Sequence, residues 1–420
     1  MNMPSKQAAS CRRATQILLP ILFFMIPLSI AVIEILFPFL LITWFLGWVA
    51  SEEQPRSAWR SRIGGTVFFS LLLYVAICAL SIRFSSYPIL SVRGLVKKLF
   101  QFSLFCLIAA DAAQDPHVAR RCMKALLASA GLVVLYGLLQ QLTILIFQGV
   151  QGAAMDPIRG RPLSYDRMMG PYKNPNDLAT FLMVVLLMLI PQLLRPPARL
   201  KISLWILGIS MMACIAWTEA KGAILGLAVG LVFLFFQSGT RNKKLFSTLA
   251  GVFAATIVFF IIKENHLWKA LTLSDIGSQD RAVMWRTAWR MIRARPILGH
   301  GLNTFMANYM AYVAGPTQGP AYAHNCFLQI TAETGLLGLT AFLWFLWKLF
   351  SSGWRTLKTA SKHAGDYEPL LAGVMAGLLA FLVQSAFDTN LYSLRQAVLF
   401  WSLSGYAVGL SVSAAQRPES

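Results

Sequence analysis

The chain has 420 residues, of which 57% are hydrophobic and only 13% charged, with a mean hydropathy of +0.60. A soluble globular domain carries about 25% charged residues, so that class is excluded. The formal net charge of +20 points to anionic partners. Six cysteines (Cys11, Cys78, Cys106, Cys122, Cys214, Cys326) lie mostly within apolar runs and without metal-ligand spacing. Neither a zinc site nor a disulfide framework is expected.

Apolar stretches long enough to span a bilayer recur along the chain, which predicts an all-α polytopic membrane protein. Residues 16–50 are one apolar run interrupted by Pro27 and Pro38, read as two helices over 16–30 and 32–50. Further spans are predicted near 64–83, 99–113, 124–147, 175–193, 202–218, 222–238, 245–262, 325–350, 369–387 and 396–413, about twelve transmembrane helices in all. The first run is long and lacks a small-residue cleavage site, so it reads as an anchor rather than a leader. The whole chain, 1–420, is expected to be one integral membrane domain.

The positive-inside rule orients the spans. With the N-terminus (Lys6, Arg12, Arg13) inside, the loops after every second span carry Arg56, Arg60 and Arg62; Arg120, Arg121 and Lys124; Arg195, Arg199 and Lys201; Arg241, Lys243 and Lys244; and Arg355, Lys358 and Lys362. Both termini are therefore expected in the cytoplasm. The external side is also basic. The loop at 148–174 holds Arg159, Arg161, Arg167 and Lys173, and the long external loop at 263–324, between spans 9 and 10, holds Lys263, Lys269, Arg281, Arg286, Arg290, Arg293 and Arg295. Anionic head groups are one cause for such charge; a site for phosphates is the sharper one.

Within that loop, "SQDRAVMWRTAWRMIRARPILGHGLNTF" places Ala282, Trp285, Trp289 and Ile292 at helical spacing, with Arg286, Arg290 and Arg293 on a neighbouring face. Asp280 is read as the N-cap, which sets Arg281 in the first turn, and Pro296 and Gly299 as the stop. This predicts an amphipathic helix on the membrane surface. "GHGLNTFMANYMAYVAG" predicts a second, shorter one.

"GPYKNPNDLA" (Gly170–Ala179) offers Asn174 as a cap and Pro175 at an early helical position. Asn176 and Asp177 then add polar groups that a simple helix start does not need. "WTEAKGA" sets Glu219 and Lys221 between two apolar spans, either an ordinary wet turn or part of a site. In "AYAHNCFLQITAETGLLGL", His324 sits before the tenth span, and Asn325, Gln329 and Glu333 follow at four-residue spacing on one face. An intramembrane carboxylate costs roughly 2.5 kcal/mol or more. Glu333 is either neutralised by a helix neighbour or supports His324 or an arginine from behind. His117 and His363 fall in inside loops. His266 and His300 are external without a polar stripe, which makes His300 the natural control for His324.

In their order along the chain, "RMMGPYKNPNDLA", "TEAKGAILGL", "DRAVMWRTAWRMIRARPILGHGLNTF" and "HNCFLQITAETGLLGL" resemble the O-antigen ligase and polymerase-like membrane glycosyltransferases. One departure is Lys221, where such proteins commonly carry arginine; lysine keeps the charge but loses the two-pronged grip. The resemblance implies a GT-C-like fold with a long periplasmic loop of amphipathic surface helices. It implies a bacterial inner-membrane enzyme with its active site facing the periplasm. The donor would be a glycan on undecaprenyl pyrophosphate, the acceptor a sugar hydroxyl of lipid A–core, among membrane lipids, with no nucleic-acid partner. His324 would be the general base and Arg281 a catalytic cation. Arg161, Arg167, Lys221, Arg286, Arg290, Asn174, Asn176, Asn325, Gln329 and Glu333 would bind pyrophosphate or glycan. Asp177, Glu219, Asp280, Glu333 and Asp388 are dispersed, so arginines are expected in place of a metal, and no cofactor is expected. A glycan polymerase of the same superfamily is the nearest rival: an arginine eleven positions before a glycine occurs twice, Arg159 to Gly170 and Arg290 to Gly301. A transporter for an anionic solute is the rival from another class. It predicts inverted repeats and midplane charges, and neither is visible.

Overall fold

The computed structural model describes residues 5–50, 65–146, 167–194, 202–238, 251, 276–317, 319–360 and 367–416. Among them there are helices and no strands. In chain order they are α1 (Ser5–Met25), α2 (Ile30–Val49), α3 (Gly65–Ser81), α4 (Pro88–Gly94), α5 (Gln101–Ala112), α6 (Pro116–Ile146), α7 (Pro175–Leu193), α8 (Ile202–Thr218), α9 (Lys221–Ser238), α10 (Ile276–Ala294), α11 (Phe305–Tyr312), α12 (Cys326–Ala360), α13 (Tyr367–Ser385) and α14 (Leu394–Ala415). Every expected span except 245–262 falls on a helix; that one, apart from residue 251, lies outside the described residues. Among the described residues, seven helices are long and apolar enough to cross a membrane, and α8 and α9 are shorter apolar helices. The protein is an all-α polytopic membrane protein.

Two features depart from simple spans. The stretch expected at 99–113 is a composite: α4 runs through a π-helical turn, Leu95–Phe100, into α5. Such turns re-aim side chains, and this one brings Lys98 to Asn303. The large apolar side chains of α2, such as Ile35, Phe39 and Ile42, are more than half exposed, as a lipid-facing helix requires. At the centre, α14 lies against α5 so closely that a Cβ at Gly405 would overlap the Cys106 carbonyl. Small residues at helix contacts are how bundles pack without a hydrophobic driving force.

The segment "RPILGHGLN" earns its glycines by locking onto α12. That helix breaks at Gly335, whose φ is 70°. The break frees backbone groups, and the incoming loop takes them up. The His300 N–H donates to Ala332 O (3.0 Å) and the Gly301 N–H to Glu333 O (2.7 Å). In return Leu336 N–H donates to Pro296 O (2.7 Å) and Leu337 N–H to Ile297 O (3.3 Å). A Cβ on Gly335 would collide with the Ile297 carbonyl, and one on Gly299 (φ 66°) with the backbone of Glu333. This lock fixes α10 and α11 over the start of α12.

His300 is part of the lock, which overturns its use as a neutral control. It is buried, its Nε2 lies 3.0 Å from Met291 O, and its ring packs edge-on against Tyr312. Burial lowers its pKa, against the pull of the Met291 carbonyl, and nearby Arg295 lowers it further. Between that lowered value and the ordinary value of about 6.5, the unfolded chain binds a proton that the folded chain refuses, so stability falls as pH drops through this window. Hydrogen exchange over 288–312 should quicken as pH is lowered from 7.5 to 5.5, once corrected for intrinsic rates. His300→Ala should speed exchange at every pH and flatten that dependence. Unaltered protection in His300→Ala would show that the lock does not need the ring.

Candidate functional site

One end of the bundle gathers the starts of α7, α9, α12 and α14 and the end of α13. His324 stands there just before α12, in the left-handed region at φ 46°. A non-glycine residue is held there only when its surroundings over-determine it. Its neighbours do so. Asn325 caps α12, its Oδ1 accepting the Leu328 N–H at 3.0 Å. Gln329 Oε1 accepts the Ala323 N–H at 3.2 Å, fixing the residue before the histidine. Cys326 Sγ donates to Asp388 O at 3.3 Å.

Asp388 is the partner the sequence did not reveal. Its Oδ1 lies 3.2 Å from His324 Nδ1. The same oxygen accepts the Thr389 N–H at 2.8 Å, and Oδ2 accepts Asn176 Nδ2 at 2.9 Å. The Asp388 side chain is 6% exposed and that of His324 34%, so the carboxylate is walled in while the ring reaches the surface. Burial alone would raise the carboxyl's pKa; the His324 contact, the Thr389 N–H and Asn176 outweigh it and hold it below the ordinary carboxylate range. With Nδ1 turned to Asp388, the free ring nitrogen is Nε2. An aspartate that fixes the tautomer of a histidine is the arrangement a general base needs.

The stripe beneath the histidine is used otherwise than expected. Glu333 is 1% exposed and does not address His324. Its carboxylate accepts the backbone N–H groups of Asn303 (2.7 Å) and Phe305 (3.2 Å), Tyr392 Oη–H (3.2 Å) and Gln329 Nε2–H (3.3 Å). An acceptor at the start of α11 satisfies donors that a helix N-terminus leaves open. Glu333 and Gln329 therefore hold the α11 turn and the approach to His324; they do not contact the ring. Asn174 caps α7, as expected, accepting the Asn176 N–H at 2.9 Å. Asn176 braces Asp388.

The cations divide into two groups. Arg395 donates to Pro27 O and Pro171 O and lies over the Tyr172 ring; Arg295 donates to Phe84 O and Arg290 to Val313 O (2.8 Å). Arg286 returns to Ala282 O on its own helix. Much of this charge thus caps carbonyls, a use that composition hides. Arg167 Nε donates to Thr218 O at 2.6 Å, 3.9 Å from Glu219, and Lys221 opens α9 two residues beyond Glu219. This brings Arg167 and Lys221 to one corner. Arg161 lies outside the described residues.

One expectation about α10 is corrected. It begins at Ile276, so Asp280 is not its cap and Arg281 is not in its first turn. Its buried stripe is Thr287, Ala288, Met291 and Ile292, packed with Phe305, Tyr309, Ala323 and Ala332, while Ala282 is exposed and Trp289 is 50% exposed beneath Arg293. The helix packs on α11 and α12 through this stripe. Arg281 is half-buried, and among the described residues no ion pair joins it to Asp280. Among the described residues, no three His, Cys, Asp or Glu side chains gather as metal ligands would.

Residues 202–343 match the family model for O-antigen ligase. A provisionally named polysaccharide ligase of Rickettsia felis is 24% identical over 178 residues, 39% of this chain and 43% of that protein. The teichuronic acid biosynthesis protein TuaE of Bacillus subtilis is 22% identical over 263 residues, 59% of this chain and 53% of that one. A similar provisionally named ligase of Rickettsia prowazekii is 24% identical over 193 residues, 43% of this chain and 47% of its own. The chain spans about half the length of the curated relatives it matches. The matched region contains Lys221, Arg281, the lock and His324, and through it the chain is similar to the O-antigen ligase family.

Proposed function

We propose that the protein transfers a glycan from undecaprenyl pyrophosphate to a sugar hydroxyl of lipid A–core, on the periplasmic face of a bacterial inner membrane, with both termini in the cytoplasm and 263–324 as a periplasmic loop. The observation that carries this reading is the His324–Asp388 pair at the bundle end where Arg167 and Lys221 also stand. The acceptor hydroxyl gives its proton to His324 Nε2 as its oxygen bonds to the anomeric carbon. The bond from that carbon to the pyrophosphate breaks, and the leaving group departs with the electron pair. Direct displacement inverts the anomeric centre. Arg281, Arg167 and Lys221 stabilise the departing charge, as fixed cations do in a low-dielectric site. The donor is already activated, so no nucleotide is consumed, and the cations serve where a metal otherwise would.

A second reading keeps the chemistry and changes the acceptor. The relative matched over 59% of this chain is named for teichuronic acid biosynthesis rather than for ligation, which supports a polymerase that joins one lipid-linked glycan to another. Purified protein reconstituted with lipid-linked glycan and rough lipopolysaccharide, in EDTA and without nucleotide, separates these. Ligation predicts glycan on lipopolysaccharide; polymerisation predicts longer lipid-linked chains. Solute uptake with no transfer would instead establish a transporter. Activity lost in EDTA and restored by magnesium would show that a metal shares the cations' role.

A further inference from the structure

The composite helix that runs from α4 through the π-helical turn into α5 presents two unlike faces. One turns inward against the lock. Lys98 Nζ–H donates to Asn303 Oδ1 at 2.8 Å, and a Cβ on Gly94 would overlap Asn303 Cβ. A Cβ on Gly301 would likewise meet Ser85 and Ser91, so α4 sits at the His324 end of the bundle. The other face is exposed. It carries an apolar stripe, Ile89, Val92, Val96 and Phe100, as a helix surface turned to lipid does. Arg93 and Lys97 stand beside that stripe, both exposed and four residues apart, so about one turn separates them. Among the described residues no hydrogen bond, ion pair or ring contact engages either cation. Glu34, on the neighbouring α2, is taken instead by Gln101 Nε2–H at 3.2 Å.

Two unpaired charges beside a lipid-facing stripe are costly without a counter-charge. They lie about 8 and 14 Å of helix rise beyond Pro88, a depth from which long cationic side chains snorkel to the head groups. Tyr87, exposed just before the helix, marks that level. The partner is therefore an anionic amphiphile, with acyl chains for the stripe and phosphate for the cations. A phosphatidylglycerol brings a single phosphate to the pair; the disaccharide head of lipid A brings two. We propose, resting on the ligation reading above, that this face docks the acceptor, with the lipid A phosphates on Arg93 and Lys97 and its acyl chains along Ile89, Val92, Val96 and Phe100.

The test has a binding arm and a kinetic arm, both on the full-length protein in detergent. Native mass spectrometry counts bound bisphosphorylated lipid A, dephosphorylated lipid A and phosphatidylglycerol. The bisphosphorylated form should be retained roughly tenfold better than either other lipid, the scale of two cations acting on anionic head groups. Joint replacement, Arg93→Gln with Lys97→Gln, should abolish that preference, and Arg93→Lys alone should keep most of it. Equal retention of lipid A and phosphatidylglycerol by the unaltered protein makes this a general anionic-lipid face and overturns the proposal; that comparison decides even where a variant fails to fold. In the transfer assay the double variant should raise KM for rough lipopolysaccharide about tenfold, with kcat and the donor KM near normal. An unchanged acceptor KM overturns the proposal while leaving ligation standing. Absence of any transfer to lipopolysaccharide by the unaltered protein defeats the ligation reading instead, and the binding comparison still judges this face.

Discussion

His324→Ala lowers turnover by about 100- to 10,000-fold, the range for removing a general base, while leaving donor binding near normal. A base acts only on the rate of proton removal, so the loss belongs in kcat. Asp388→Asn should lose turnover too, because it leaves Nδ1 facing an amide that can no longer stabilise the imidazolium formed in the transition state. The two changes act on one unit, so the double variant should be little worse than His324→Ala alone. The pH profile separates the roles. A base must be unprotonated, so the rate should have an acid limb. Asp388 cannot supply that limb at mildly acidic pH. Its carboxyl is held below the ordinary range, so the stability it contributes persists above the ordinary carboxylate value of about 3.9 and is lost only as pH falls through its lower folded value. The limb should therefore vanish in His324→Ala and persist, on a lower rate, in Asp388→Asn. His117→Ala, exposed at the opposite end, is the control. Near-normal turnover and an unchanged profile in His324→Ala would make the histidine a structural element of the turn before α12.

The histidine was legible because its own segment announces it: a titratable group at a predicted interface, followed by polar residues at helical spacing. Asp388 was not, because it lies 64 residues away, and only the packing of α13 and α14 beside α12 brings it near. The one available signal was its position just before the last predicted span. The same limit explains Glu333. Spacing put it on a face with Gln329, and the two do bond, but the donors that neutralise its carboxylate come from Asn303, Phe305 and Tyr392, which no local pattern connects to it. Span positions were legible because lipid demands long apolar helices. The π-helical turn at Leu95–Phe100 was not, since one extra residue per turn leaves no mark in hydropathy. Trp289 of α10 spends half its surface outside, as amphipathic rings at a membrane surface can.

Arg281→Ala should remove most of the transfer while the protein stays abundant and folded. Arg281 lies half-buried on α10 without a partner among Asp280 and the other described carboxylates, so no ion pair is broken by its loss. Moving the helix start to Ile276 changes the reason, not the expectation. The favourable field of a helix N-terminus fades within the first turn, so Arg281 must act through its own guanidinium. That sharpens the comparison with lysine. A pure point charge would let Arg281→Lys recover much of the rate, whereas a planar two-pronged grip on phosphate would not. We expect poor recovery, with the loss in kcat exceeding any rise in KM, because charge on the pyrophosphate grows as the glycosidic bond breaks and is largest in the transition state. Lys221→Arg, which supplies the two-pronged grip that the resemblance leads one to expect there, should in turn preserve or raise activity. A fully active Arg281→Ala would reduce the residue to a surface cation and leave Arg167 and Lys221 to stabilise the leaving group.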